Sequence, residues 1–484
     1  MNSIDSLKIE NGKILSVQRV DGSFTEGDFT ADGLPPMYRV IVETYPGEKS
    51  IVRHQIWLPD EWNGIFLGIG NGGFAGRLGS SLCNEAGEGY AVAQTDMGTS
   101  ALRTDEWPED ATDMWIDYGW RATYDMTTVA KKMIEDYYGR APEHSYFRGA
   151  SAGGKQALSL AQRFPTEYDG IIAGVPSNNA PNLTVYFLWC HVSLSDENNL
   201  PLFTDEEKAE IYDLVLEFFD GIGQAESGFV SYGWCGEDTV ERVVEFIRKQ
   251  KPELSERQIV ALRTMYDGPR HKITGKRIYS GVPFGAEINC GYFGSEAGDF
   301  DFPWFKLFFG KDYINRSFDF GSDYDTYAGA VRKHLSANNP DLSEFNKHGA
   351  KLIVFSGGAD PYGPWPDAVK YYNRVCKSLG GYESVKEFFR YFLIPGRDHG
   401  ACGYGINTVY SDESREDQNL LVALRRWREQ GEAPEYLYGE HIEKTLSLDG
   451  AQTVASSLGR RIYPYEANLT EGRDFPYCCD DEYL

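Results

Sequence analysis

The chain changes hydropathic period along its length. Residues 38–44 (Tyr38-Arg39-Val40-Ile41-Val42-Glu43-Thr44) and 52–58 (Val52-Arg53-His54-Gln55-Ile56-Trp57-Leu58) alternate polar and apolar positions. Such a period of two belongs to strands with one wet face, so an antiparallel start to a sheet is expected within about the first 60 residues. Beyond that point the alternation stops. Short, mostly apolar runs at 64–70, 91–95, 146–148 and 171–175 are separated by helix-length segments, and two more follow at 352–355 and 391–394. Apolar strands alternating with helices predict a mostly parallel sheet covered on both faces. Between about 177 and 345 the texture differs. Acidic helices are predicted at 205–219 and 238–250, and the loops are rich in glycine and aromatic residues, among them Trp189, Trp234, Phe284, Tyr292, Phe293, Trp304 and Phe305. The pattern therefore predicts one α/β domain over residues 1–176 and 346–484, interrupted by an inserted lid over 177–345. Most of the lid aromatics read as ordinary lid core.

Composition narrows this picture. A chain of 484 residues is long for one ordinary core, which agrees with a large domain carrying an insertion. Hydrophobic residues make up 41%, enough for a folded globular protein. Lys and Arg number 47 against 73 Asp and Glu, a formal charge of −26 that repels phosphate backbones and anionic lipid. No nucleic-acid partner and no membrane partner are expected, and oligomeric state is not legible. Residues 1–8 lack a basic stretch followed by an apolar run, so a cytoplasmic location is expected. The eight cysteines (Cys83, Cys190, Cys235, Cys290, Cys376, Cys402, Cys478 and Cys479) show neither a CxxC pair nor zinc-finger spacing, and read as buried free thiols.

The candidate chemistry begins where the apolar run at 146–148 ends. Gly149-Ala150-Ser151-Ala152-Gly153 sets a serine between glycines, followed by a helical pattern with Ala157, Leu160, Ala161 and Phe164 on one face and Pro165 beyond it. A serine on a sharp strand-to-helix turn is a nucleophile elbow: only small residues fit beside it, and the helix head offers N–H groups to an oxyanion. The bland alternative is a glycine-rich turn without chemistry. Serine is a poor nucleophile unless a base takes its proton, and the base is usually oriented by a carboxylate. Of the eight histidines only His399 and His441 lie beyond the late runs, and His399 follows the run 391–394 directly. His441, in an acidic context, reads as solvent-exposed. Asp360, past the run 352–355 through Ser356-Gly357-Gly358-Ala359, is the favoured acid. Asp367 would more naturally cap a helix, and Asp398 adjoins His399 too closely to orient it. A second oxyanion N–H is expected from the glycine-rich loop 70–76, which contains Gly72 and Gly73, alongside the N–H of Ala152. No Lys-Ser or Lys-Thr follows that loop, so phosphate-cradle use fails.

Together these residues resemble the tannase and feruloyl esterase family. The likeness runs through the loop 70–76, Asp117-Tyr118-Gly119-Trp120-Arg121-Ala122, the elbow with Gln156-Ala157-Leu158, and Tyr168-Asp169-Gly170 on to Pro176. It continues through Tyr266-Asp267-Gly268-Pro269-Arg270, Ala359-Asp360-Pro361 and Pro395-Gly396-Arg397-Asp398-His399. The resemblance implies an α/β-hydrolase fold with a lid, a triad of Ser151, Asp360 and His399, and a small aromatic or phenolic ester as substrate, cleaved through an acyl-enzyme. Two departures stand out. Family members carry a disulfide between cysteines beside the catalytic serine and histidine; here those positions are Ala150 and Gly400, in keeping with a reducing compartment. The family's lid usually holds calcium in an aspartate-rich loop, and the nearest equivalent, 217–228, offers Glu217, Asp220 and Glu226 at altered spacing. Calcium takes about six to eight oxygens, so its retention is doubtful, and no cofactor is required. Two alternatives remain open at this level: carbon–carbon cleavage or acyl transfer by the same triad, and a binding protein on a hydrolase fold that has lost activity.

Overall fold

The computed structural model describes residues 4, 7–104, 107–226, 228–233, 238–294, 303–401, 403–446 and 452–466. They fall into two compact units, Met1–Asn178 with Val331–Leu352, and Asn179–Ala330 with Ile353–Leu484.

The first unit is built on strands β1 (Gly12–Glu26), β2 (Phe29–Thr44), β3 (Val52–Pro59), β4 (Ile65–Ile69), β5 (Ala91–Thr95), β6 (His144–Ala150) and β7 (Gly170–Gly174), side by side in the order β1-β2-β3-β5-β4-β6-β7. The pairs β1–β2, β2–β3 and β3–β5 are antiparallel, whereas β5–β4, β4–β6 and β6–β7 are parallel. The change of pairing falls where the hydropathic period changes. One expectation is corrected in detail: of the polar positions of β3 only Arg53 faces water, while His54 and Gln55 are both fully buried. Each makes a hydrogen bond to another polar side chain. His54 Nε2 lies 2.8 Å from Asp125 Oδ2, and Gln55 Oε1 accepts from Arg39 Nε at 3.1 Å. As neighbours on a strand the two point to opposite faces of the sheet, and each is tolerated there because it is hydrogen-bonded. The helices Ala122–Tyr138 and Ala152–Arg163 make the crossovers into β6 and β7; the first buries Met126, Ala130, Met133 and Ile134 and ends on Gly139 at φ 75°.

In the second unit, helices Ala180–Leu194, Asp205–Asp220, Thr239–Gln250 and Glu256–Asp267 gather an apolar cluster that includes Tyr186, Ile211, Val215, Val243 and Leu262. The acidic helices thus form where the sequence predicts them. Thr204 with Glu207, and Ser255 with Gln258, close capping boxes that fix where two of them start. Ala359 belongs to the same cluster, so the residue before Asp360 is anchored in helical core. Strand Phe389–Ile394 follows helix Trp365–Ser378, and an antiparallel three-stranded sheet of Thr408–Tyr410, Leu437–Leu446 and Gln452–Ile462 completes the unit. Among the described residues, no helix is long and apolar enough to cross a membrane.

Candidate active site

Ser151 stands between β6 and the helix Ala152–Arg163 at φ 61° and ψ −120°. A non-glycine residue held there costs about 1–3 kcal/mol, a strain that persists only when its surroundings enforce it. They do so through missing side chains. A Cβ on Gly149 would sit 2.5 Å from the Gly153 carbonyl oxygen, one on Gly153 2.9 Å from the Asn71 oxygen, and one on Gly154 2.6 Å from the Gly174 oxygen. The turn is also stitched by hydrogen bonds, from Ser151 N–H to Gly174 O at 3.0 Å and from Ser177 N–H and Oγ to Ser151 O at 3.2 and 3.1 Å. Ala152 opens the helix, so its N–H has no partner within it.

The glycine-rich loop lies against this turn, with an added Cβ on Gly70 meeting Gly153 Cα at 2.7 Å. Asn71 N–H donates to Gln156 Oε1 at 2.8 Å. Gly72 and Gly73 are exposed, Gly73 at φ 57°, and an added Cβ on either would meet nothing within 4 Å. Their N–H groups have no acceptor among the described residues. Open, undonated N–H groups beside a serine are the equipment an oxyanion hole needs.

Asp360 and His399 come together in the second unit. Asp360 is fully buried; its Oδ2 is 2.8 Å from His399 Nδ1, and its Oδ1 accepts from the N–H groups of Tyr362 and Gly363 at 2.8 and 2.9 Å. With both oxygens occupied, the carboxylate has one orientation. Burial alone would lower the His399 pKa, but the charge and hydrogen bond of Asp360 outweigh it and the net direction is upward. Glycines again let two loops meet: added Cβ atoms on Gly357 and Gly358 would strike Arg397 O at 2.2 Å and Ser231 O at 2.6 Å. Gly358 N–H donates to Ile394 O, and Ala359 N–H to Arg397 O, at 2.8 and 3.0 Å. The rival acid Asp367 instead accepts from Ser280 N–H and Oγ at 3.2 and 2.7 Å. His441 departs from the expected solvent exposure: its side chain is 15% exposed and its Nδ1 lies 2.6 Å from Gly405 O. Strand Leu437–Leu446, which the sequence reading did not foresee, half-buries it.

Sequence reasoning missed the aromatic group against this histidine. The Tyr362 ring meets His399 edge-on with centroids 5.8 Å apart, and Phe187 and Tyr292 lie 6.4 and 5.9 Å from Tyr362. Gly291 N–H fixes the Tyr362 hydroxyl at 3.0 Å. All three rings are only half-buried. The available signal was the place of Tyr362, two residues past the acid.

The calcium candidates do not fit a cage. Glu226 Oε2 accepts from Arg460 Nη1 at 2.7 Å, Glu217 and Asp220 are exposed, and among the described residues no three His, Cys, Asp or Glu side chains gather as metal ligands. Cys83, Cys190, Cys290 and Cys376 are buried thiols outside any disulfide, while Cys235, Cys402, Cys478, Cys479 and Trp234 lie outside the described residues.

The sequence profile for tannase and feruloyl esterase matches residues 38–302 and 315–472. The chain belongs to the tannase and feruloyl esterase family. Its relatives include a probable feruloyl esterase of Arthroderma benhamiae, 31% identical over 421 residues that cover 80% of this chain and 75% of the relative. Another is feruloyl esterase B of Aspergillus niger, 28% identical with 85% and 81% covered. The crystal structure of feruloyl esterase B from Aspergillus oryzae overlays with a TM-score of 0.80 at 21% identity, covering 95% of this chain and 94% of that one. That overlay carries the fold, the α/β-hydrolase fold expected from the sequence, and family membership makes the chain a carboxylic ester hydrolase.

Proposed function

We propose that this family member hydrolyses a small aromatic or phenolic ester through an acyl-enzyme on Ser151. Neutral His399 takes the serine proton through Nε2 as Oγ attacks the ester carbonyl, while Asp360 holds Nδ1–H and stabilises the imidazolium that forms. The N–H groups of Ala152, Gly72 and Gly73 receive the negative oxygen of the tetrahedral intermediate. As it collapses, His399 returns the proton to the leaving alcohol. Water then repeats the sequence on the acyl-enzyme and releases the acid. Residues 177–345 act as the lid, and Phe187 and Tyr292 from it, with Tyr362, offer half-exposed ring faces to an aromatic acyl group. The observation that carries the reading is the doubly anchored Asp360 with one oxygen on His399 Nδ1, the arrangement that leaves Nε2 as the proton acceptor. The names of the relatives support phenolic esters as substrates. The buried thiols, with Ala150 and Gly400 at the family's bridge positions, support work in a reducing compartment. No step requires a cofactor.

Substitution Ser151→Ala tests this directly. Turnover of a panel of gallate, ferulate, benzoate and aliphatic esters should fall by about 10⁴-fold or more with the thermal midpoint unchanged. Retained turnover would refute the nucleophile, and exclusive use of aliphatic esters by the unsubstituted protein would refute the aromatic substrate.

A further inference from the structure

Lys155 lies one turn into the helix that Ser151 opens, and it is fully buried. Burying an ammonium without a carboxylate is costly, and no acidic group partners it among the described residues. Burial drives its pKa well down. Its ammonium meets Tyr118 in two ways. Nζ donates to the Tyr118 carbonyl at 2.7 Å and sits 3.3 Å from the centre of the Tyr118 ring. Tyr118 belongs to a π-helical turn, Asp117–Arg121. Such a turn withdraws carbonyls from the regular helical ladder and often marks functional positions. From this turn the Tyr118 hydroxyl donates to the carbonyl of Gly73 at 3.1 Å.

The next residue reaches the same loop by another path. Gln156 accepts the Asn71 N–H through Oε1 and donates through Nε2 to Thr123 Oγ1 at 2.8 Å, so both ends of its amide are fixed. Two consecutive residues of the nucleophile helix therefore hold the loop at two points, Asn71 N–H and Gly73 O, on either side of Gly72.

We propose that Lys155, Tyr118 and Gln156 are positioning residues for the oxyanion hole: they form a brace that fixes the Gly72 and Gly73 N–H groups relative to Ser151. The inference rests on the reading of Ser151 as nucleophile and of this loop as the oxyanion hole. A loop of glycines has no side chains with which to hold its own shape, and the peptides that donate to an oxyanion must be in place before charge develops. The brace supplies that shape from buried groups that never touch substrate. It acts on the transition state and leaves ground-state binding alone, so its loss belongs in kcat and not in KM.

The test is Tyr118→Phe, which removes one hydroxyl and keeps the ring under Lys155. With a phenolic ester, kcat should fall about tenfold with KM within about twofold. Affinity for an arylboronic acid, which becomes a tetrahedral adduct on the serine, should weaken by the same factor. Gln156→Glu, which retains an acceptor for Asn71 N–H, should keep more activity than Gln156→Leu at matched thermal midpoint. Wild-type kcat and boronate affinity in Tyr118→Phe would overturn the brace, as would a loss that follows only the thermal midpoint across these variants. Failure of the underlying reading looks different. In that case Ser151→Ala stays active and end-point fluorophosphonate labelling misses Ser151, whereas failure of the brace alone leaves Ser151 essential and labelled.

Discussion

The serine turn and the acid–histidine pair solve one problem by different physics. In both, glycines delete side chains so that two loops can meet backbone to backbone: Gly149, Gly153 and Gly154 around Ser151, and Gly357 and Gly358 beside Arg397 and Ser231. What is added differs. Ser151 is held by conformational strain, a positive φ that its packed surroundings enforce. Asp360 is held by charge, a fully buried carboxylate that two N–H groups and an imidazole satisfy completely. Steric support fails when atoms are added, and electrostatic support fails when a charge is removed.

Removing the charge should give the largest effect. Asp360→Asn is expected to lower kcat by about 10⁴-fold, because the asparagine amide no longer selects the tautomer with hydrogen on Nδ1. The pH profile carries a sign. Protonated His399 cannot accept the serine proton, so kcat/KM of the unsubstituted enzyme should fall as pH drops through a value above about 6.5, the ordinary histidine pKa, in line with the upward direction at His399. In Asp360→Asn both upward effects of Asp360 are lost, leaving burial, the largest influence, and Arg397 pulling down against Asp398 alone, so the acid limb of the residual activity should move to lower pH. An unmoved limb would show that Asp360 does not set the His399 pKa.

Adding an atom to the other half should act mainly on stability. Gly149→Ala places a methyl 2.5 Å from the Gly153 carbonyl oxygen, and overpacking of this kind costs about 1–3 kcal/mol. A lower denaturation midpoint together with reduced labelling of Ser151 would sharpen the contrast with Asp360→Asn, whose fold should hold. The smallest effect is expected from Tyr362→Ala. Loss of an aromatic contact worth about 1 kcal/mol corresponds to about a fivefold rise in KM for aryl esters, with none for acetate esters. An equal rise for both classes would take Tyr362 out of substrate recognition.

The two halves also differ in how far the sequence reveals them. The residues that constrain Ser151 most tightly, Gly149, Gly153 and Gly154, lie within three positions of it, so the motif is readable locally. Asp360 and His399 stand 39 residues apart, and only their places after two apolar runs tie them together. The sheet was legible where burial follows a simple period, as in β2 and in the parallel strands β4 to β7. At β3 the period failed, because His54 and Gln55 are both buried, one on each face of the sheet, each against a polar partner. The strands Leu437–Leu446 and Gln452–Ile462 were missed, since stretches such as Glu440-His441-Ile442-Glu443 carry charge on both faces and so lack a clean alternation. The brace was invisible because nothing in the sequence marks the polar side chains of Lys155 and Gln156 for burial, and only tertiary packing buries both.

Activation of Ser151 by His399 is the step on which the proposed catalysis depends. Peptide mapping after reaction with a fluorophosphonate, carried out across pH with the unsubstituted protein and with His399→Ala, measures that dependence directly. One adduct per chain on Ser151 is expected, forming more slowly as pH falls through the raised His399 pKa and at a negligible rate in His399→Ala. An adduct at another residue, or labelling of Ser151 at the same rate without His399, would contradict it.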